Sequence, residues 1–376
     1  MRPLRIGWNA LFLKPGRVGG TEEYVRRVSW ALEQAASDEV ALTLFVNRRF
    51  ASASATTASV AIAPVSGDSP AIRITMESTW LPREAVRRSI DVVHHLGNTI
   101  PYVRARPAVV TIHDIQPIVR PEDFGRMKGA YLRSRLRAAV SRSRVVTTPS
   151  AHVRGQVIDH FSVDEAQVTV VPPPVFVDPT ANEPETPPFS QPFESPFFLY
   201  PAITHPHKNH ETLLQSFALV AASRPHVMLV LTGGEGAAEA AVRERIHALG
   251  LAERVHRLGR IPRPHLDRLL RTAIALTFPS RHEGYGLPVA EAMALGCPVI
   301  ASNATALPEI VGDAGLLVAP DDIEGWADAM SAMLLDDVLR SVLATKGRVR
   351  AASLSPEETA RRLVNVYRIA AGSESE

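Results

Sequence analysis

Short apolar runs, each closed by a polar, Gly- or Pro-marked break, recur along the whole chain. In the first half they fall at Leu4–Trp8, Leu42–Val46, Asp91–His95, Val109–Asp114, Val145–Ser150 and Gln167–Val171. In the second half they fall at Phe197–Tyr200, Val227–Leu231, Val255–Leu258, Ile274–Phe278, Val299–Ala301 and Gly315–Val318. Runs this short predict buried strands. Helix-period stretches lie between several of them. Thr21 is placed to N-cap a helix with Glu22 and Glu23 in its first turn and Tyr24, Val25, Val28 and Leu32 on its apolar side. Arg126–Val145 predicts a second helix. A third follows Lys208, with Asn209 as its cap and Leu213, Leu214 and Phe217 inward. Pro288 opens a short helix that Gly296 and Pro298 stop, and a last helix runs from Pro356 with Leu363, Val366 and Tyr367. Two stretches break the rhythm. Ala51–Pro70 is rich in Ser, Ala and Thr and weakly patterned; beyond Val175 the composition turns Pro-, Glu- and Thr-rich, as in a linker. The pattern is that of an α/β protein with parallel sheets.

Composition narrows this picture. A length of 376 residues suits two domains or one large one, and 45% apolar residues is ordinary for a globular chain. A net charge of +2 does not point to nucleic acid as a partner. Cys297 is the only cysteine, so an intrachain disulfide and a multi-Cys metal site are excluded, and a reducing compartment fits. The start of the chain lacks a signal-peptide pattern, and no apolar run reaches transmembrane length. A cytoplasmic protein is therefore expected. Neither GxGxxG nor GxxxxGK[ST] occurs, so NAD chemistry and P-loop ATP hydrolysis have no motif. No Zn²⁺ ligand cluster is visible, and no cofactor or metal is expected.

The candidate chemistry centres on FPSRHEGYGLPVAEAMALGCPVIASNATALP, residues 278–308. A strand end, a Gly-rich loop and a helix start follow one another here. First-turn N–H groups and the helix dipole favour an anion, and Gly284 and Gly286 let backbone approach it. Glu283 and Glu291 sit beside this electropositive end. Neither carboxylate should face a bound diphosphate; each should accept hydrogen bonds from neutral hydroxyls. A nucleotide sugar offers such hydroxyls on its ribose and on its hexose. The plain alternative is a βα turn whose Glu complements the dipole.

The spacing E-x7-E inside PSRHEGYGLPVAEAMALGCPVIAS resembles the donor-binding signature of the retaining GT-B glycosyltransferases of family 4. The resemblance implies two Rossmann-like domains facing a central cleft, with the C-terminal helix crossing back to the first. The expected bounds are 1–178 plus helix 356–372, a linker at 179–196, and a donor domain at 197–355. In GGTEEYVRRV, it implies that Gly19 and Gly20 lie near the donor phosphates. In VVTIHD, it implies that His113 meets the donor sugar, whereas His94 and His95 remain structural hydrogen bonders. In HKNHETLL, Lys208 would hold the diphosphate. Gly233 would lie in the turn near the nucleotide, and the backbone of Arg260 and Ile261 would meet the base. Around the central stretch, Glu283 would hold the hexose, Glu291 the ribose, and the amides of Gly284, Tyr285 and Gly286 the diphosphate, with Leu287 also in the donor-binding set. One departure matters: Pro201-Ala202 stands where many members carry Gly-Arg, and His207 or an N-domain group would have to supply the missing charge.

The implied reaction is a retaining, metal-independent hexosyl transfer from a nucleotide diphosphate sugar to a hydroxyl of a glycan or lipid-linked acceptor. His113, Glu283 and Lys208 would carry it. No DxD is present, which disfavours a metal-dependent GT-A reading. PHKNH and TIHDIQP are similar to bacterial polysaccharide enzymes with mannose-like or rhamnose-like donors, which leans the expectation towards GDP-mannose without fixing the sugar or the nucleotide. Two rivals stay open: a nucleotide-sugar 2-epimerase of the same fold, and a catalytically silent nucleotide-sugar-binding subunit. The Arg-rich, acid-free helix at 126–145 reads as core packing flanked by solvated Arg stems. Its sharper alternative is a peripheral contact with an anionic membrane at the inner face, or with a lipid-phosphate acceptor.

Overall fold

In the computed structural model, residues 2–14, 20–53, 58–175 and 195–372 are described. The chain divides into two units, 1–174 with 354–376, and 175–353. Gly19 and the expected linker core lie outside the described residues.

The first unit runs β1 (Leu4–Asn9), α1 (Gly20–Ala35), β2 (Val40–Val46), α2 (Arg48–Ala53), β3 (Ser59–Ile62), α3 (Pro70–Arg87), β4 (Val92–His95) and β5 (Ala108–Thr111). It continues with α4 (Gln116–Val119), α5 (Arg126–Arg142), β6 (Val145–Thr148), α6 (Ala151–Phe161) and β7 (Val168–Val170). All seven strands are parallel, in the order β3-β2-β1-β4-β5-β6-β7. The order reverses between β1 and β4. Fully buried strand positions explain the continuous apolar runs: every residue of β4, β5 and β6 is buried.

The second unit runs β8 (Phe197–Pro201), α7 (His210–Ser223), β9 (Met228–Thr232), α8 (Glu239–Ala248), β10 (Val255–Gly259), α9 (Arg263–Thr272) and β11 (Ala275–Phe278). It closes with α10 (Leu287–Ala294), β12 (Val299–Ser302), α11 (Leu307–Val311), β13 (Leu316–Val318), α12 (Ile323–Leu335) and α13 (Asp337–Ala352). Its parallel sheet has the order β10-β9-β8-β11-β12-β13, with the reversal between β8 and β11.

The last helix, α14 (Pro356–Ala371), belongs to the first unit. Its Leu363, Val364, Val366 and Tyr367 share one core with Tyr24, Val25, Val28 and Leu32 of α1 and with β1 and β2. A buried polar chain fixes it further. Trp8 Nε1 donates to Tyr367 Oη at 2.8 Å, and Tyr367 Oη meets His94 Nδ1 at 2.9 Å. His94 Nε2 then reaches Thr111 Oγ1 at 2.8 Å, which meets Thr147 Oγ1 at 2.9 Å. Burial, reinforced by His95 and His113, holds His94 well below its ordinary pKa, so a neutral ring links the phenol to the threonines. Tyr367→Phe should cost about 1–3 kcal/mol, because Trp8 Nε1 and His94 are left buried without their shared partner. Urea denaturation checks this; a change under about 0.5 kcal/mol would reject the chain as a stabilising feature.

Several expected boundaries shift. α1 begins at Gly20, so Thr21 lies within its first turn rather than at its cap. α5 ends at Arg142, because Ser143 is already extended and leads into β6. The weakly patterned 51–70 region contains β3, and α3 follows at Pro70 with Ser69 accepting from Ile72 N–H.

Candidate active site

In open parallel sheets, ligands bind beyond the carboxyl ends of the strands, where the strand order reverses. In the second unit this point lies between β8 and β11. The loop after β8 carries His207 and Lys208; the loop after β11 carries Glu283–Gly286. Local chemistry stitches these loops together. Tyr200 Oη donates to the Lys208 carbonyl at 2.6 Å and meets Ser280 Oγ at 3.3 Å. Arg281 N–H donates to the His207 carbonyl at 2.8 Å. Asn209 Nδ2 donates to the carbonyls of Pro279 at 3.1 Å and Pro320 at 2.7 Å. Asn209 thus occupies the N-cap position of α7 in a left-handed conformation, φ 58°, but its side chain makes no cap bond to the helix backbone. It ties loops instead, which corrects the expected capping role.

Lys208 and Glu283 meet at this point: Lys208 Nζ donates to Glu283 Oε1 at 2.5 Å, with both side chains mostly buried. Glu283 N–H donates to Thr305 Oγ1 at 3.1 Å, which orients the loop. The Lys208 ammonium also lies 5.7 Å from the centroid of Phe278. Glu291, on α10, is 5% exposed. Arg263, the first residue of α9, donates from Nη1 to Glu291 Oε1 at 2.5 Å and from Nε to Asp267 Oδ1 at 2.6 Å. Both carboxylates therefore face cations, not only the neutral hydroxyls expected. The physical reason is burial: a carboxylate this far from water is costly without a charged or hydrogen-bonded partner. Arg263 was missed because Arg and Glu stand 28 positions apart, on different helices.

Gly286 introduces α10 at φ +104°, where a Cβ would meet Leu307 Cδ2 at 2.6 Å. The positive φ is what favours glycine here, since the close contact is with a side-chain tip rather than backbone. Tyr285 is buried beside it, and Gly284 and Leu287 are half-buried. Three loops join at the ends of β8, β9 and β10. Gly233 N–H donates to the Gly259 carbonyl at 2.8 Å, Ala202 N–H to the Thr232 carbonyl at 2.8 Å, and Gly236 N–H to Thr204 Oγ1 at 2.7 Å. The Arg260 guanidinium lies against the same turn, 2.8 Å from where a Gly234 Cβ would stand. Sequence reasoning gave Arg260 only a backbone role. Ile261 follows it, half-buried, ahead of α9.

In the first unit, His113 follows β5. Its backbone N–H donates to Asn98 Oδ1 at 2.7 Å, its Nε2 meets the Leu96 carbonyl at 2.7 Å, and its ring stands edge-on to Tyr24 at 4.8 Å. Since a carbonyl only accepts, Nε2 carries the proton and Nδ1 is left as the acceptor of the neutral ring. Burial lowers its pKa, against the opposing pull of Leu96 and Asp114. Gly20 opens α1. Cys297 is buried and its thiol is pushed up to about 12 by burial, which suits packing rather than nucleophilic chemistry.

Comparison with known proteins bears on both halves. The family described as "Glycosyl transferases group 1" matches residues 184–350, and that described as "Glycosyltransferase Family 4" matches residues 18–178. The chain belongs to the group 1 glycosyltransferases. It is 29% identical over 290 residues to the O-antigen chain mannosyltransferase B of Escherichia coli, spanning 76% of each chain. Among solved structures, sucrose-phosphate synthase from Thermosynechococcus elongatus superposes with a TM-score of 0.76 at 20% identity, covering 97% of this chain and 98% of that one. Anabaena Alr3699/HepE, solved with UDP and glucose, gives a TM-score of 0.72 at 18% identity, covering 96% and 99%. These structural likenesses show the GT-B fold. This group 1 glycosyltransferase transfers sugar from a nucleotide-sugar donor. None of its described helices is long and apolar enough to cross a membrane.

Proposed function

We propose that this glycosyltransferase moves a hexose, with retention and without a metal ion, from a nucleotide diphosphate sugar to a hydroxyl of a glycan or lipid-linked acceptor. The observation that carries the reading is the Lys208–Glu283 pair at the point where the second sheet reverses its strand order. A cation and a carboxylate side by side suit the junction of a diphosphate and a sugar. Lys208 takes the diphosphate as a charge-assisted partner, and Glu283, released from Lys208, accepts from hexose hydroxyls. Gly284–Gly286 supply backbone beside the phosphates, and Glu291 accepts from the ribose. Arg260 and His207 are the candidates to replace the charge that Pro201-Ala202 does not provide. Gly233 and Ile261 shape the nucleotide side. In the first unit, neutral His113 suits hydrogen bonding to a sugar hydroxyl, and Gly20 introduces the helix expected near the phosphates.

The chemistry assigned to the chain is positioning and charge stabilisation. As the sugar–phosphate bond breaks, charge grows on the leaving β-phosphate. Lys208 neutralises part of it, and the phosphate oxygen accepts the proton of the incoming hydroxyl. The mannosyltransferase relative supports a mannosyl donor, and GDP-mannose is the nucleotide sugar to try first. Calorimetry with nucleoside diphosphates tests the assignments. Lys208→Ala should weaken binding by roughly 10- to 100-fold, the worth of one charge-assisted contact. Glu291→Ala should lower the preference for ribose over 2′-deoxyribose nucleotides. Unchanged affinity in the first variant, or an unchanged ratio in the second, would reject the corresponding role.

A further inference from the structure

A second cationic site lies at the other edge of the first sheet. Parallel strands start along one edge and end along the other. His113 follows β5 at its carboxyl end, whereas Arg104 and Arg106 immediately precede β5, and Arg142 closes α5 just ahead of β6. These three arginines line one open cavity of about 620 Å³ with Tyr102, Val103 and Pro107.

The cavity is built, not a scatter of surface charge. Arg142 Nη2 donates to the Tyr102 carbonyl at 2.8 Å, and Arg104 donates from Nη1 to the Arg142 carbonyl. These bonds fold the loop onto the end of α5 and hold two guanidinium groups close. Arg135, buried on α5, stacks over the Tyr102 ring at 4.2 Å and fixes the loop from below. Among the described residues, none of Arg104, Arg106 and Arg142 forms an ion pair, whereas most arginines of α1 and α14 do. Arg106 Nε is buried with no hydrogen-bond partner. Arg104 has its pKa lowered, first by burial and then by Arg142. A guanidinium has five donors in a planar fork, and each bond to a carbonyl uses only one. Mutual repulsion and unused donors are both relieved by one bound anion. Beside them, Tyr102 and Val103 are 54% and 55% exposed, so the rim is apolar.

We propose that Arg104, Arg106 and Arg142 form a phosphate-binding site, separate from the donor site, that takes a phosphoryl group carried by a membrane lipid or by a soluble phosphorylated compound. The geometry does not depend on any role assigned to Lys208 or Glu283. It also moves the basic patch weighed as the alternative for α5: the cations converge at the end of that helix and on the loop before β5, not along a helical row.

Pyrophosphate is the probe for the shared chemistry. Because the donor site should bind it too, the comparison is made in the Lys208→Ala background. Arg104→Gln with Arg106→Gln, both on a surface loop, should then weaken pyrophosphate binding by roughly tenfold or more by calorimetry. Circular dichroism and the melting temperature establish that the loop variant is folded, and Arg142→Gln alone gives a second reading of the same site. Sedimentation with phosphatidylglycerol and phosphatidylcholine vesicles identifies the source. Recovery with the anionic vesicles that is lost in the loop variant assigns the site to lipid phosphate. Pyrophosphate binding without vesicle recovery assigns it to a soluble phosphoryl compound. Equal pyrophosphate affinity with and without the loop arginines, together with equal vesicle recovery, overturns the site.

Discussion

Glu283→Ala is expected to remove sugar transfer while nucleoside diphosphate binding survives. Glu283 holds Lys208 Nζ at 2.5 Å. A diphosphate reaching Lys208 must compete with that carboxylate. Deleting the carboxylate therefore frees the ammonium, and the affinity for the bare nucleoside diphosphate should stay level or rise. The nucleotide sugar behaves in the opposite way. Its hexose loses a charged hydrogen-bond acceptor, a contact worth about 1.5–3 kcal/mol, and its reacting carbon loses its orientation. We expect kcat/KM to fall by roughly 100-fold or more. Glu283→Gln should recover part of this, because the amide still accepts one bond. The opposed signs are what makes the prediction sharp. A variant that loses nucleoside diphosphate affinity along with transfer would make Glu283 a structural brace for Lys208. A variant with undiminished transfer would remove it from the sugar.

Gly233→Ala is expected to have the largest effect on stability. Gly233 has φ +120°, a region that L side chains rarely adopt. An added Cβ would stand 2.4 Å from the Ala202 carbonyl oxygen and 2.6 Å from its carbon. Both atoms are backbone at the end of β8, so neither can swing aside as a side-chain tip would. Strain and clash add, and a loss of at least about 3 kcal/mol is expected. Gly250→Ala is the control. Gly250 also has positive φ, +67°, but nothing lies within 4 Å of the place its added methyl would take. It should lose only about 1 kcal/mol. Urea titration of the two variants reads the difference. Equal losses would mean that the backbone at Gly233 can move away, and that the turn is less fixed than its hydrogen bonds suggest.

The strands and the loops that follow them were legible because the physics is local. Continuous apolar runs mark strands buried on both faces, and the Gly-rich stretch after Phe278 cannot continue one. Partners across the fold were not legible. Lys208 and Glu283 are 75 positions apart, and nothing in either neighbourhood announces the other. The expectation that a bound diphosphate turns both carboxylates towards neutral hydroxyls left out the protein's own cations, Lys208 and Arg263, which hold Glu283 and Glu291 in this structure. Asn209 carries a typical capping side chain, yet its backbone is left-handed and the amide serves two neighbouring loops. β3 and α3 escaped notice because Ser59–Ile62 is a four-residue edge strand, and α3 carries Pro82 within it. His94 shows the reverse. Its place at a strand end suggested a structural role, and its two ring nitrogens are both engaged by Tyr367 and Thr111.

The decisive experiment on the donor site needs no acceptor. The melting temperature is read with UDP, GDP, dTDP and ADP and with their common sugar conjugates, for the native chain and for Lys208→Ala. A ligand that binds only the folded state raises its stability. One nucleotide should raise the native melting temperature clearly, with a further rise for its sugar conjugate, and Lys208→Ala should lose most of the shift. No shift across the saturating panel, or an equal shift in Lys208→Ala, would contradict a donor site built on Lys208 and Glu283.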